Sequence, residues 1–285
     1  MNIALDIEKG KLMRINPTVE REAQPLKVQD QKHRAIVASD VSRRFGEYLA
    51  IGPVSVAIDE GEFVSVLGPS GCGKSTLMLM IAGLLRPTKG TVQVDGRPLD
   101  KAMTDVGIVF QDHLLLEFRT AMDNVLLQQE IRGLDRVATE RRAKDLFKKL
   151  GLSGAEARYP RQLSGGMQQR VAIARALVHN PSILLMDEPF GALDAISRTQ
   201  IRHDLETLWM ETRKSVLFIT HSIEEAIGLS DRILVMSNSP GQIVAEIRID
   251  LPRPRPAYLG HYPEFAAYAD EIYKTFEALG VYKFK

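Results

Sequence analysis

Apolar residues recur along the chain in two rhythms, and each predicts a different kind of element. Runs at 35–39, 52–58 and 62–67 are short, rich in Val and Ile and separated by Gly46, Gly61 and Gly68, which predicts strands joined by turns. The run at 90–94 is followed by Asp95-Gly96, a pair that readily takes the positive φ angles of a tight turn, so a hairpin is expected there. Residues 106–110 are another buried-strand candidate. Between 121 and 150 the rhythm changes: Leu126, Leu127, Ile131, Ala143, Leu146, Phe147 and Leu150 recur at helical spacing with charged residues between them, which predicts a helical insertion. A further helix is expected after Ser164, with Met167, Val171, Ala174 and Val178 on one face. Strand runs at 183–186 and 216–219 then flank a helical stretch at 195–212, the alternation of βαβ units on a parallel sheet. Strand character resumes at 233–236 and 243–249. In 251–256 Arg253 and Arg255 alternate with prolines, which reads as an extended linker, and 263–279 reads as one amphipathic helix.

Composition narrows the class. The 285 residues suffice for one large α/β domain or two smaller ones, and 45% hydrophobic with 26% charged residues excludes a disordered, collagen-like or coiled-coil chain. Lys and Arg number 37 against 36 Asp and Glu, so no global basic excess points to nucleic acid. A single cysteine excludes an intramolecular disulfide framework and fits a reducing compartment. No stretch reaches the roughly 18 apolar residues of a bilayer span. Residues 1–34 mix charges of both signs without the apolar run of about 7–15 residues that a signal peptide needs, so they are expected to form a flexible extension.

Candidate chemistry begins at Gly68-Pro69-Ser70-Gly71-Cys72-Gly73-Lys74-Ser75-Thr76, which follows the 62–67 strand and precedes an apolar helix at 77–85. That is the context of a phosphate-binding P-loop. The glycines let backbone N–H groups surround a phosphate, and the helix start behind them adds partial positive charge. Lys74 can reach the β- and γ-phosphates, and the Ser75 hydroxyl can ligate Mg²⁺. At a helix start, the Cys72 thiol is expected to be biased toward thiolate, so that alkylation inhibits and bound ATP protects. A second signal is the apolar run 183–186 delivering Asp187 and Glu188 at its end, where ligands of open α/β sheets collect. Asp187 suits metal holding, and Glu188 suits polarising the water that attacks the γ-phosphate.

Leu163-Ser164-Gly165-Gly166-Met167-Gln168-Gln169-Arg170 then resembles the signature motif of the ATP-binding subunits of ABC transporters, with Met167 where that family most often has Gln. Ser164 can cap the helix behind it, and the two glycines expose N–H groups at its positive end, a second anion site. The resemblance runs over about 35–249. It implies a P-loop NTPase (RecA-like) α/β core, with an antiparallel β subdomain and a helical subdomain inserted at about 112–163. The cassette would span 35–250, followed by a C-terminal linker and helix at 251–285. It implies a head-to-tail homodimer in which Ser164, Gly165, Gly166 and Gln168 of one copy face the ATP held by Lys74 of the other. At matching positions, Phe45 would stack on adenine, Gln111 would sense the metal and the attacking water, Asp194 would lie in the loop crossing the dimer, and His221 would contact the γ-phosphate.

The same resemblance implies partners. The stretch 112–120 would receive a coupling helix from each of two integral-membrane permease subunits, with Leu115, Leu116 and Phe118 as its apolar dock. Phe110-Gln111-Asp112-His113, His221-Ser222-Ile223-Glu224-Glu225-Ala226, and Ser239-Pro240-Gly241 leading to Leu251–Arg255 look like the nitrate, sulfonate and taurine group of bacterial importers. An extracytoplasmic substrate-binding protein and a peripheral location on the cytoplasmic face of the membrane are then expected. The rival is a soluble ABC-type ATPase of DNA repair or translation. Arg132, Arg136, Arg141, Arg142, Lys144, Lys148 and Lys149 would suit it, but Asp135, Glu140 and Asp145 among them favour a solvated helix face.

Overall fold

In a computed structural model, which describes residues 33–191 and 193–281, the strands sort into two sheets. The first contains β1 (Arg34–Phe45), β2 (Tyr48–Asp59), β4 (Lys89–Val94) and β5 (Arg97–Pro98), antiparallel and in the order β2-β1-β4-β5. The second contains β3 (Phe63–Leu67), β6 (Val106–Val109), β7 (Ile183–Asp187), β8 (Ser215–Thr220), β9 (Arg232–Met236) and β10 (Ile243–Arg248), in the order β10-β9-β3-β8-β7-β6. Within it β9, β3, β8, β7 and β6 run parallel, and only β10 is antiparallel. Every residue of β3, β7 and β8 is buried, which is why these runs are almost uniformly apolar: both faces of a parallel sheet are covered. The Asp95-Gly96 turn has φ of 48° and 72°, the positive angles expected of that pair. β1 and β2 are longer than the apolar runs suggested, because bulges near Asp40 and Ser42 break the period-two pattern without ending the pairing.

Helices cover the second sheet. They are α1 (Lys74–Ile81), α2 (Ala121–Arg132), α3 (Arg136–Lys149), α4 (Gly165–Leu177), α5 (Ala195–Thr212), α6 (Ile223–Leu229) and α7 (Pro263–Ala278). The helical region expected over 121–150 is two helices. Gly133, at φ 64°, stops α2, and Asp135 caps α3 by accepting from Ala138 N–H. One core cluster joins one face of the parallel sheet to α2–α5, and a second joins its other face to α1 and the antiparallel sheet. A third packs α6 and α7 with β9 and β10, burying Ile272 and Phe276 of α7. α6 has no counterpart in the sequence reading.

The 251–256 stretch is extended, and its arginines are structural. Arg255 is buried, donates to the carbonyls of Ile227 and Ser230 at 2.7 and 2.8 Å, and offers its backbone N–H to the buried Glu206 carboxylate. Arg253 stacks 4.3 Å from the Trp209 ring and reaches Glu206 and Asp231 at 3.1 and 2.9 Å. Among the described residues no helix is long and apolar enough to cross a membrane. Residues 1–32, nearly all of the expected extension, lie outside the described residues.

Candidate active site

Four adjacent parallel strands deliver the candidate residues from their C-terminal ends. Leu67 of β3 pairs with Thr220 of β8, Ile219 of β8 pairs with Asp187 of β7, and Met186 of β7 pairs with Val109 of β6. The loop 68–73, His221, Asp187-Glu188 and Gln111 therefore emerge side by side along one edge, the place where such sheets bind ligands.

In the loop, Gly73 has φ 103°, and a Cβ there would lie 2.7 Å from Ile51 Cγ1, so no other residue fits. Lys74 is buried although it opens a helix. Its ammonium donates to the carbonyls of Gly68 and Pro69, both at 2.9 Å, and lies 3.6 Å from Glu188 Oε1. Ser70, Gly71 and Ser75 are exposed, while Thr76 is half-buried. Cys72 corrects its expectation. The side chain is 1% exposed, and burial pushes the thiol up against the lowering pull of Lys74, so the helix start does not yield a reactive thiolate.

Asp187 is buried too. Burial raises its carboxyl, opposed by a hydrogen bond from Ser75, and Oδ1 has no hydrogen-bond partner. A buried carboxylate oxygen without a donor, beside an exposed serine hydroxyl, suits a hard divalent cation, so the residues fit Mg²⁺. Glu188 takes left-handed backbone geometry, φ 43°, sparsely populated for a non-glycine residue. It is anchored by its N–H on Ile219 O at 2.9 Å and by Phe190, two residues on, which packs on Phe218 at 5.5 Å between ring centroids. Its Oε2 meets His221 Nδ1 at 3.0 Å, so Lys74, Glu188 and His221 form one cluster.

Gln111 is exposed, close to the turn after Glu188: a Cβ on Gly191 would stand 3.9 Å from its Nε2. The loop behind it is held chiefly by Asn124 and Arg175, which the sequence motifs do not include. Buried Asn124 accepts from Leu116 N–H at 2.8 Å and donates to the carbonyls of Leu116, Arg119 and Thr120. Arg175 donates to the carbonyls of His113 and Leu114, and His113 Nδ1 meets Gln169 Oε1 at 2.5 Å. The residues expected to form an apolar dock differ in exposure. Leu115 packs on the core and Leu116 is tied to Asn124, whereas Phe118 and Leu114 are 75% and 57% exposed.

The expected second anion site lies at the start of α4. Ser164 Oγ accepts from Met167 N–H at 3.3 Å, and a Cβ on Gly165 would meet nothing within 4 Å. Gln168 donates to the carbonyl of Pro160 at 2.9 Å. Gly166 faces Ser197 and Leu193 beside Asp194, whose carboxylate caps α5 through Ile196 and Ser197 N–H, the Ser197 bonds holding its carboxyl below the usual range. Among the described residues, the hydrogen bonds of the Ser164 and Gln168 side chains go to Met167, Pro160 and Leu163, none of them in the 68–76 loop. Phe45, at the end of β1, is 48% exposed with the Arg43 guanidinium 4.7 Å from its ring centroid.

Comparison with known proteins decides the family. The ABC transporter family model matches residues 51–191. The taurine import ATP-binding protein of Rhizobium johnstonii is 46% identical over 80% of this chain and 90% of its own. The chain belongs to the ABC transporter ATP-binding family. The nitrate import ATP-binding protein of Synechococcus elongatus is 44% identical over 74% of the cassette chain and 77% of its own. A bacterial ABC transporter cassette solved as a dimer superposes with a TM-score of 0.67 at 35% identity, covering 76% of this chain and all of that one. The P-loop NTPase fold and an ATPase activity follow from this membership, and the ABC cassette read from the motifs is the one the relatives share.

Proposed function

We propose that the cassette hydrolyses ATP as a head-to-tail homodimer on the cytoplasmic face of a membrane, powering uptake of a small anion such as nitrate, a sulfonate or taurine through two permease subunits. Capture of that anion would fall to an extracytoplasmic binding protein. The observation that carries the reading is the row of site residues on four neighbouring strand ends, with Glu188 between Lys74 and His221. The relatives named for taurine and nitrate import support the substrate class, and the cassette solved as a dimer supports the assembly.

Glu188 Oε2 takes the proton as water attacks the γ-phosphorus in line and the bond to the β–γ bridging oxygen breaks, giving ADP and phosphate. His221, already bonded to that carboxylate, fixes its direction and reaches the γ-phosphate. Lys74 exchanges its carbonyl partners for phosphate oxygens. Ser75 and Asp187, with Gln111, would hold Mg²⁺, which when bound offsets negative charge on the phosphates. Ser164, Gly165 and Gly166 of one copy close the site of the other, Phe45 stacks on adenine, and Asp194 crosses between the copies. Leu114 and Phe118 meet the permease.

A nucleic-acid role draws no support from the basic helix. Arg136 pairs with Glu140, Lys149 with Asp145 and Glu211, and Arg142 caps the Val178 carbonyl. The test is Glu188→Gln: ATP still binds, turnover falls at least about 100-fold, and an ATP-stabilised dimer accumulates in size-exclusion chromatography. Near-normal turnover would remove Glu188 as the base.

A further inference from the structure

Only His221 and Ser222 separate β8 from α6, and the residues on both sides of His221 are bonded to one residue, Glu225, Thr220 through its carboxylate and Ser222 through its backbone N–H. Thr220, buried at the end of β8, donates its hydroxyl to Glu225 Oε2 at 2.5 Å and accepts from Ser222 N–H at 2.9 Å. Ser222 Oγ accepts from Glu225 N–H at 3.3 Å, closing a ring around the His221 backbone. The other oxygen, Glu225 Oε1, faces Arg198 Nε of α5 at 3.7 Å. Arg198 in turn donates from Nη2 to Leu193 O at 3.0 Å, next to Asp194. A path of hydrogen bonds and one ion pair thus runs from the Leu193 carbonyl through Arg198 and Glu225 to Thr220, the chain neighbour of His221, whose ring meets Glu188 at 3.0 Å.

Capping α6 does not explain this carboxylate. The cap uses the Glu225 backbone N–H, which any residue other than proline supplies, whereas the side chain is 5% exposed and costs free energy to bury. Resting on the roles given above to Glu188 and His221, we propose that Glu225 is a positioning residue for hydrolysis: it holds His221 against Glu188 and ties that pair to the loop at 193–194. A displacement of that loop, as when a second copy docks on it, is then passed to the base.

The test is steady-state ATP hydrolysis by the full chain as wild type, E225Q, R198M, the double variant and E188Q, with thermal midpoints for each. The expected result for E225Q is a kcat about tenfold lower, KM for ATP within about twofold, and a midpoint no lower than wild type, since a neutral amide replaces a buried charge. R198M lowers kcat in the same direction, and the double variant is no slower than the slower single, because both act on one path. An unchanged kcat in E225Q beside an inactive E188Q overturns the positioning role alone. A loss of kcat that comes with an equal rise in KM and a fallen midpoint overturns it in favour of a structural one. Wild-type turnover by E188Q overturns the reading of the base and this proposal with it.

Discussion

Asp187 shows at the scale of one residue how function is set against stability. Its folded carboxyl sits above its ordinary value of 3.8 because burial penalises the charge, so its ionisation disfavours the fold. Stability is full while the group is protonated and is lost as pH rises from 3.8 through the raised value. Asp187→Asn removes that loss: in EDTA at neutral pH its thermal midpoint should exceed wild type by about 2–4 °C, the two converging as pH falls below about 4. An unchanged or lower midpoint at pH 7 would contradict this. Asp187, Glu188 and Lys74 stood out in the sequence as candidates by residue type and spacing, and the structure places the Lys74 ammonium 3.6 Å from Glu188, next in the chain to Asp187. Cys72 was misread because a helix start and a buried Ile51–Met236 environment act oppositely on a thiol, and only the first is local in sequence. Glu225 was quoted only as part of the 221–226 motif and given no role of its own, since its partners Thr220 and Arg198 lie on β8 and α5, although Ser222 three residues before it has the spacing of a capping box.

At the scale of elements, the loop 111–120 has little regular structure and depends on the helix that follows it. Asn124 in the second turn of α2 makes four hydrogen bonds to that loop and its own cap, so Asn124→Ala leaves buried backbone groups unpaired. A loss of about 2–4 kcal/mol in denaturant unfolding is expected, with faster amide exchange at Leu116. Exchange at Leu116 as slow as in wild type would show that Asn124 does not hold the loop. Strands β3, β7 and β8 were read within a residue or so of their ends because burial on both faces leaves an unbroken apolar run. α6 was missed because seven residues, one of them Gly228, hold too little periodicity to register.

Across the whole molecule, the tail is fastened to the catalytic body by charge. Glu206 in α5 is 3% exposed and is met by Arg253 and by the backbone of Arg255, while burial and the neighbouring Arg253 push the Arg255 guanidinium down to about 10. Arg255→Ala removes the donors to Ile227, Ser230, Ile249 and Leu251 carbonyls and should cost about 3–5 kcal/mol, read as a lowered denaturation midpoint, with Arg255→Lys recovering only part. A loss under about 1 kcal/mol would make the clamp ornamental. The alternating Arg-Pro pattern was visible in the sequence, but its partner Glu206 lies some fifty positions earlier, and no local signal links the two. The clamp also sets an order of events during synthesis. A nascent chain that has already delivered the phosphate loop, Asp187, Glu188 and His221 still lacks Arg253 and Arg255, so Glu206 of α5 gains these two partners only once residues 253–255 emerge. The contacts that neutralise Glu206 thus form after every residue of the candidate site has been synthesised, and folding of this corner is coupled to residues some fifty positions downstream.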